Sequence, residues 1–136
     1  FTGALALLAG AGVQGAELIV RIDGIASAEG TVSCGVFVGE EGFPDDEQRA
    51  LNLRLPADPA RTVCRFEAVP AGMIAVAVSH DRNGNGRLDK NFLGMPREPW
   101  GVSKGARPAL RAPRFGEAAI EMPADGTLEV TVVVRQ

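Results

Sequence analysis

The 136-residue chain has no tyrosine, a single histidine, a single tryptophan and two cysteines, and only 5% of its residues are aromatic. Zinc centres take several His and Cys ligands, so His80 with Cys34 and Cys64 makes no usual zinc site. Proteins that track single-stranded nucleic acid need aromatic stacking platforms in a basic groove. The formal net charge here is -3 and no stretch is strongly basic, so nucleic acid is not an expected partner. C-x-x-C and a glycine-rich phosphate loop between strand and helix are both missing, which removes recognisable dithiol and nucleotide chemistry. No apolar run reaches the roughly 20 residues of a membrane-spanning helix, so no transmembrane span is expected.

What is present begins with a charge-free apolar run from Phe1 to Ala16. It resembles the hydrophobic region and cleavage zone of a secretory signal whose basic start is missing, with Val13 and Gly15 suited to cleavage after Gly15. A buried N-terminal helix is the other reading. Residues 1–16 are therefore read as a signal-peptide remnant, residues 17–136 as one domain, and the protein as periplasmic or secreted. No cysteine follows the run to accept a lipid.

From Glu17 onward the apolar residues recur with a period of two, the signature of strands. Leu18, Val20 and Ile22 share one face, then Val32, Cys34, Val36 and Val38, then Leu51, Leu53 and Leu55, then Cys64 and Phe66. Met73 to His80 is almost continuously apolar, as in a strand covered on both sides. Ala118 to Met122 is a short strand, and Asp125-Gly126 reads as a hairpin turn into Thr127–Arg135. Glu47 to Leu51 suits a short helical turn. Residues 91–116, with several Pro and Gly, read as a long irregular excursion. This pattern predicts an all-β fold, a seven-stranded antiparallel β-sandwich of transthyretin-like or immunoglobulin-like kind.

Cys34 and Cys64 fall on inward faces of two predicted strands. In an oxidising compartment they form a disulfide; the other reading is two buried thiols.

The stretch Asp81-Arg82-Asn83-Gly84-Asn85-Gly86-Arg87-Leu88-Asp89 carries the chemistry, within a metal-type loop at residues 81–90. Calcium takes roughly six to eight oxygens at about 2.3–2.6 Å, supplied by alternate residues of a tightly wound loop. Asp81, Asn83 and Asn85 occupy the first, third and fifth positions, Gly86 permits the turn, and the Arg87 carbonyl and Asp89 follow. Phe92 stands where an EF-hand has its bidentate Glu, and the flanks read as strand. The loop is thus EF-hand-like without being an EF-hand, and calcium is the cofactor it points to. A turn in which Asn and Gly only supply positive φ is the other reading. His80 is a catalytic candidate, with Asp81 or Glu98 as its acidic neighbour, and otherwise a structural donor. Phe92 and Trp100, with Phe43, line a ligand surface or pin the excursion onto the sandwich.

The succession Glu41-Gly42-Phe43-Pro44, Pro70-Ala71-Gly72 before the apolar strand, His80 through Asp89, Asn91-Phe92-Leu93-Gly94-Met95-Pro96, Trp100-Gly101 and Pro113-Arg114-Phe115 resembles the bacterial domain-of-unknown-function 2141 family over nearly all of the chain after residue 16. The resemblance implies an exported transthyretin-like or immunoglobulin-like sandwich and no assigned activity. Trp100 departs from the tyrosine or other aromatic expected there. The cysteine pair is not a family feature, so the disulfide rests on the residues themselves. Function then reads as an exported envelope module, a non-enzymatic binding or structural domain whose partner is a protein, a glycan or a small molecule. The alternatives are a small hydrolase or isomerase using His80 with a neighbouring carboxylate, and an assembly protein pairing through its edge strands.

Overall fold

The period-two alternation is realised as strands in a computed structural model that describes residues 15–83 and 98–136. They are β1 (Ala16–Asp23), β2 (Thr31–Phe37), β3 (Leu51–Pro56), β4 (Thr62–Val69), β5 (Gly72–Asp81), β6 (Trp100–Val102), β7 (Ile120–Met122) and β8 (Thr127–Val133). Three of them form one sheet in the order β4-β1-β8. The other sheet runs β3-β2-β5-β6, with β7 also on β5. Helical structure among the described residues is limited to two 3-10 turns, Glu47–Arg49 and Ser103–Gly105, and one α-turn, Phe115–Ala118. The fold is an all-β sandwich.

Between the sheets lie Leu18, Val20 and Ile22 of β1, Cys64 and Phe66 of β4, Val32, Cys34 and Val36 of β2, and Ile74, Val76 and Val78 of β5. In β1, β2 and β4 these are residues that the alternation set on one face; Val38, placed with those of β2, is 55% exposed. The opposite face of β5 is covered as well. Ala75 packs there with Trp100, Val102 and Ala118, and Phe43, Ala77 and Phe115 close over them. Double coverage is why the run from Met73 to His80 carries so few polar residues.

Four differences from the sequence reading have physical causes. First, eight strands are described where seven were predicted, because β6 lies within the stretch read as irregular. Three residues are too few for alternation to register, and the middle one is Gly101. A Cβ at that position would overlap the Val133 carbonyl oxygen, so the side chain that would have marked a strand is sterically barred. Second, the excursion is held by specific bonds. Ser103 Oγ accepts from the Val76 N–H at 3.0 Å and donates to the Ala118 carbonyl at 2.6 Å. Third, Asp125-Gly126 does not close a hairpin: β7 pairs with β5, whereas β8 crosses to the other sheet. Fourth, β8 runs parallel to β1, from Glu17↔Thr127 to Asp23↔Val133, so the sandwich is not purely antiparallel. Parallel neighbours need a long connection, and β1 and β8 stand at opposite ends of the described chain.

Cys34 and Cys64 form a disulfide, with Cα atoms 6.7 Å apart. Cys34 belongs to β2 and Cys64 to β4, so the bond ties one sheet to the other through the core. On the chain-entropy model, closing a loop of 30 residues' separation stabilises by about 3–4 kcal/mol. The double variant Cys34→Ala/Cys64→Ala is expected to lose stability of that order in urea titration, and an unchanged midpoint would contradict the pinning role.

Outside the second cluster, Glu117 is forked by Arg111, whose two terminal nitrogens donate at 2.9 and 2.8 Å, and also accepts from the Arg114 N–H at 2.8 Å. The Arg111 hydrogen bonds, then the Arg114 N–H, hold the Glu117 carboxyl down to about 2. A carboxylate held below its unfolded value stabilises above that unfolded value, and the contribution fades as pH falls through the folded one. Glu117→Gln should therefore be less stable than the parent at pH 7. The two should converge in acid as pH approaches about 2. The group is exposed, so the effect is small; a gap independent of pH would contradict the assignment.

Candidate functional site

Strand β5 ends at the rim of the sandwich in His80 and Asp81, where the Asp/Asn loop begins. Side chains alternate across a strand, so these neighbours face opposite ways. Ile74, Val76 and Val78 turn into the main core, and His80 continues that series. Its ring has no exposed surface. Nε2 lies 2.6 Å from the Glu29 carbonyl oxygen; a carbonyl only accepts, so Nε2 carries the proton and donates. Nδ1 has no partner among the described residues.

Asp81 falls on the other face, in the series of Ala75 and Ala77. It is 4% exposed and stands opposite Thr31 of β2. Beside it Gly30, at φ +72, approaches so closely that a Cβ would overlap the Asp81 carbonyl. On its other side the β5–β6 register runs Ala77↔Val102, Val78↔Gly101, Ser79↔Trp100. One step further the His80 N–H donates to the Pro99 carbonyl at 3.0 Å. Pro99 has no N–H to return, and the ladder stops.

Glu98 takes over where the ladder ends. Its Oε2 accepts from the Arg82 N–H at 2.8 Å. The residue is 5% exposed, and Oε1 has no partner among the described residues. No Lys or Arg among the described residues forms an ion pair with it; the Arg82 side chain donates to Gln136 at 3.4 Å.

Of the predicted loop ligands, Asp81 is buried at the strand end and Asn83 is exposed beyond it, while Asn85, Arg87 and Asp89 lie outside the described residues, as does Phe92. Among the described residues no group of three or more His, Cys, Asp and Glu side chains is placed to hold a metal. Trp100 is 7% exposed. The Arg107 guanidinium stacks 4.0 Å from its ring centroid and donates to the carbonyls of Trp100 and Arg135 at 2.8 and 2.7 Å. Trp100 is thus held against the C-terminal strand segment by Arg107.

Glu98 is the residue whose placement the sequence reading missed. It was weighed only as an acid partner for His80, yet the structure bonds it to the start of the Asp/Asn loop. The available signal was Pro99 directly after it, which marks a broken ladder. His80, in contrast, is built into the core. His80→Ala removes a buried ring and leaves the Glu29 carbonyl without its donor, so a loss of at least about 2 kcal/mol is expected in urea titration. Unchanged stability would contradict the structural role.

Compared with known proteins, the chain matches over residues 20–131 the model of a family described as an uncharacterized protein conserved in bacteria (DUF2141). No curated protein and no solved structure matches.

Proposed function

The chain belongs to the DUF2141 family of uncharacterised bacterial proteins, and from that premise we propose that it is an exported, non-enzymatic binding module of the cell envelope that holds calcium in the loop opened by Asp81. The observation that carries this reading is the burial of Asp81 at the end of β5, in register with Thr31 of β2. A first ligand held this way loses little freedom on binding, so the loop is anchored for a cation before one arrives. Asn83, Asn85, the Arg87 carbonyl and Asp89 supply the remaining oxygens of the pattern. With few carboxylates the affinity belongs with extracellular modules, at about 10⁻⁴–10⁻³ M.

The inter-sheet disulfide supports export, since such bonds persist in oxidising compartments. The apolar run at residues 1–16 is the corresponding leader. The transthyretin-like or immunoglobulin-like sandwich carries the calcium-bearing loop as its contact for a protein, a glycan or a small ligand. No helix among the described residues is long and apolar enough to cross a membrane.

A hydrolase or isomerase centred on His80 is the less favoured reading. A general base must come within hydrogen-bond reach of a substrate proton. His80 is enclosed between the sheets, with Nε2 engaged by Glu29, and Asp81 faces away from it.

Calcium added to chelator-treated protein is expected to give saturable heat by titration calorimetry, with magnesium as the control. At a tenfold excess over Kd, binding to the folded state alone adds about 1.4 kcal/mol of stability, read as a raised melting temperature. Trp100 is the single tryptophan and lies two residues beyond Glu98. Its excitation should sensitise terbium emission, and calcium should quench that emission by competition. Absence of heat and of any melting shift at about ten times the expected Kd overturns the calcium reading.

A further inference from the structure

We propose that the segment joining β6 to β7, tipped by Leu110 and set among cations, docks the protein on the surface of an anionic phospholipid bilayer. No Asp or Glu occurs from Pro99 to Gly116, so all 17 acidic residues of the chain lie elsewhere, whereas Lys104, Arg107, Arg111 and Arg114 fall within this stretch. Leu110 is 80% exposed, the most exposed large hydrophobic residue among the described residues. Ala109 and Ala112 beside it are exposed as well. A lone exposed leucine is ordinary, but this one stands on a braced loop. Arg107 stacks on Trp100 and donates to the Trp100 and Arg135 carbonyls. Arg111 donates to the Ala112 carbonyl at 3.1 Å and to both oxygens of Glu117, and Pro113 is buried. The tip is therefore held in place before any partner arrives, which lowers the cost of binding.

The charge on this segment is largely uncompensated. Arg111 is neutralised by Glu117. Lys104, Arg107, Arg114 and the nearby Arg135 form no ion pair among the described residues. Burial, and then the Arg135 charge, hold the Arg107 guanidinium below its ordinary value, so two of these cations lie close together. Each Lys or Arg brought to an anionic bilayer strengthens attachment roughly fivefold. The apolar tip enters the boundary between headgroups and acyl chains, while the long basic side chains lay their stems along it and keep their charges at the phosphates. An acidic protein fits this surface less well. A stable protein interface needs about 800 Å² from each partner around well-packed anchors, and the tip offers one leucine and two alanines. A bilayer asks for no matching shape. The acidic stretch from Glu40 to Glu47 approaches the far end of the segment, where Phe43 meets Phe115. Attachment is thus confined to the tip, and it is weak and sensitive to salt.

The test sediments the full chain with vesicles of phosphatidylcholine alone and with vesicles of phosphatidylcholine and phosphatidylglycerol in equal parts. Chelator is present throughout, so the outcome is separate from that of the calcium reading. The protein is expected to sediment with the anionic vesicles and not with the neutral ones, and to be released in about 1 M salt, where the Debye length is about 3 Å. Lys104→Gln and Arg114→Gln should each weaken attachment about fivefold. Leu110→Ser should weaken it several-fold at unchanged charge. All three side chains are exposed, so melting should stay that of the parent. As a second readout, the emission of Leu110→Trp should shift to the blue on anionic vesicles. No sedimentation with anionic vesicles, or equal sedimentation with both kinds, overturns the proposal. So does a Leu110→Ser protein that attaches as the parent does, or a Leu110→Trp emission that vesicles leave unmoved. Soluble polyglutamate that strips the parent from vesicles at equal charge concentration points to an acidic protein partner and overturns the lipid assignment.

Discussion

Strand β5 is enclosed on every side, and the rest of the molecule is arranged around that constraint. β2 pairs along one edge for seven residues, from Thr31↔Asp81 to Phe37↔Ala75. β6 and β7 share the other edge, the first against Ala77–Ser79 and the second against Gly72–Ile74. One face meets the second sheet across Val20, Cys64 and Val132; the other lies beneath Trp100, Val102 and Ala118. Such a strand is a stable place from which to project a polar end, because it is paired along both edges. The disulfide adds a covalent tie between the sheets directly beside β5, since Cys34 is the register partner of Val78.

At the rim this order turns over into chemistry. The pleat sends His80 inward and Asp81 outward, so two adjacent polar residues have unrelated roles. His80 donates to Glu29 and closes the end of the core. Asp81 stands opposite Thr31 on the outer side. Pro99 ends the β5–β6 ladder one residue before the two strands would otherwise have continued. The Arg82 N–H left over is taken by the Glu98 side chain. A broken ladder and a carboxylate drawn into the break are what bring acidic oxygens to the mouth of the loop.

Much of the fold was legible because alternation is a direct record of two-sided burial. Val32, Cys34 and Val36, or Leu18, Val20 and Ile22, announce their strands and their inward face without help. What the sequence concealed was of two kinds. Trp100-Gly101-Val102 is a strand too short to alternate, and its glycine reflects the backbone of Val133 rather than a turn. The crossing of β8 to the opposite sheet was hidden because Asp125-Gly126 serves a hairpin and a sheet change equally well. The site divided along the same line. The Asp-x-Asn-x-Asn-Gly spacing is local and readable, whereas the approach of Glu98 to Arg82 depends on strand register, which no spacing encodes.

The central claim is that a cation is held at the end of β5 by the loop that Asp81 opens. Anomalous diffraction from crystals grown with calcium tests it most directly. The account predicts one peak there, with a carboxylate oxygen of Asp81 within about 2.3–2.6 Å of it. A well-ordered Asp81 carboxylate with no peak beside it would contradict it.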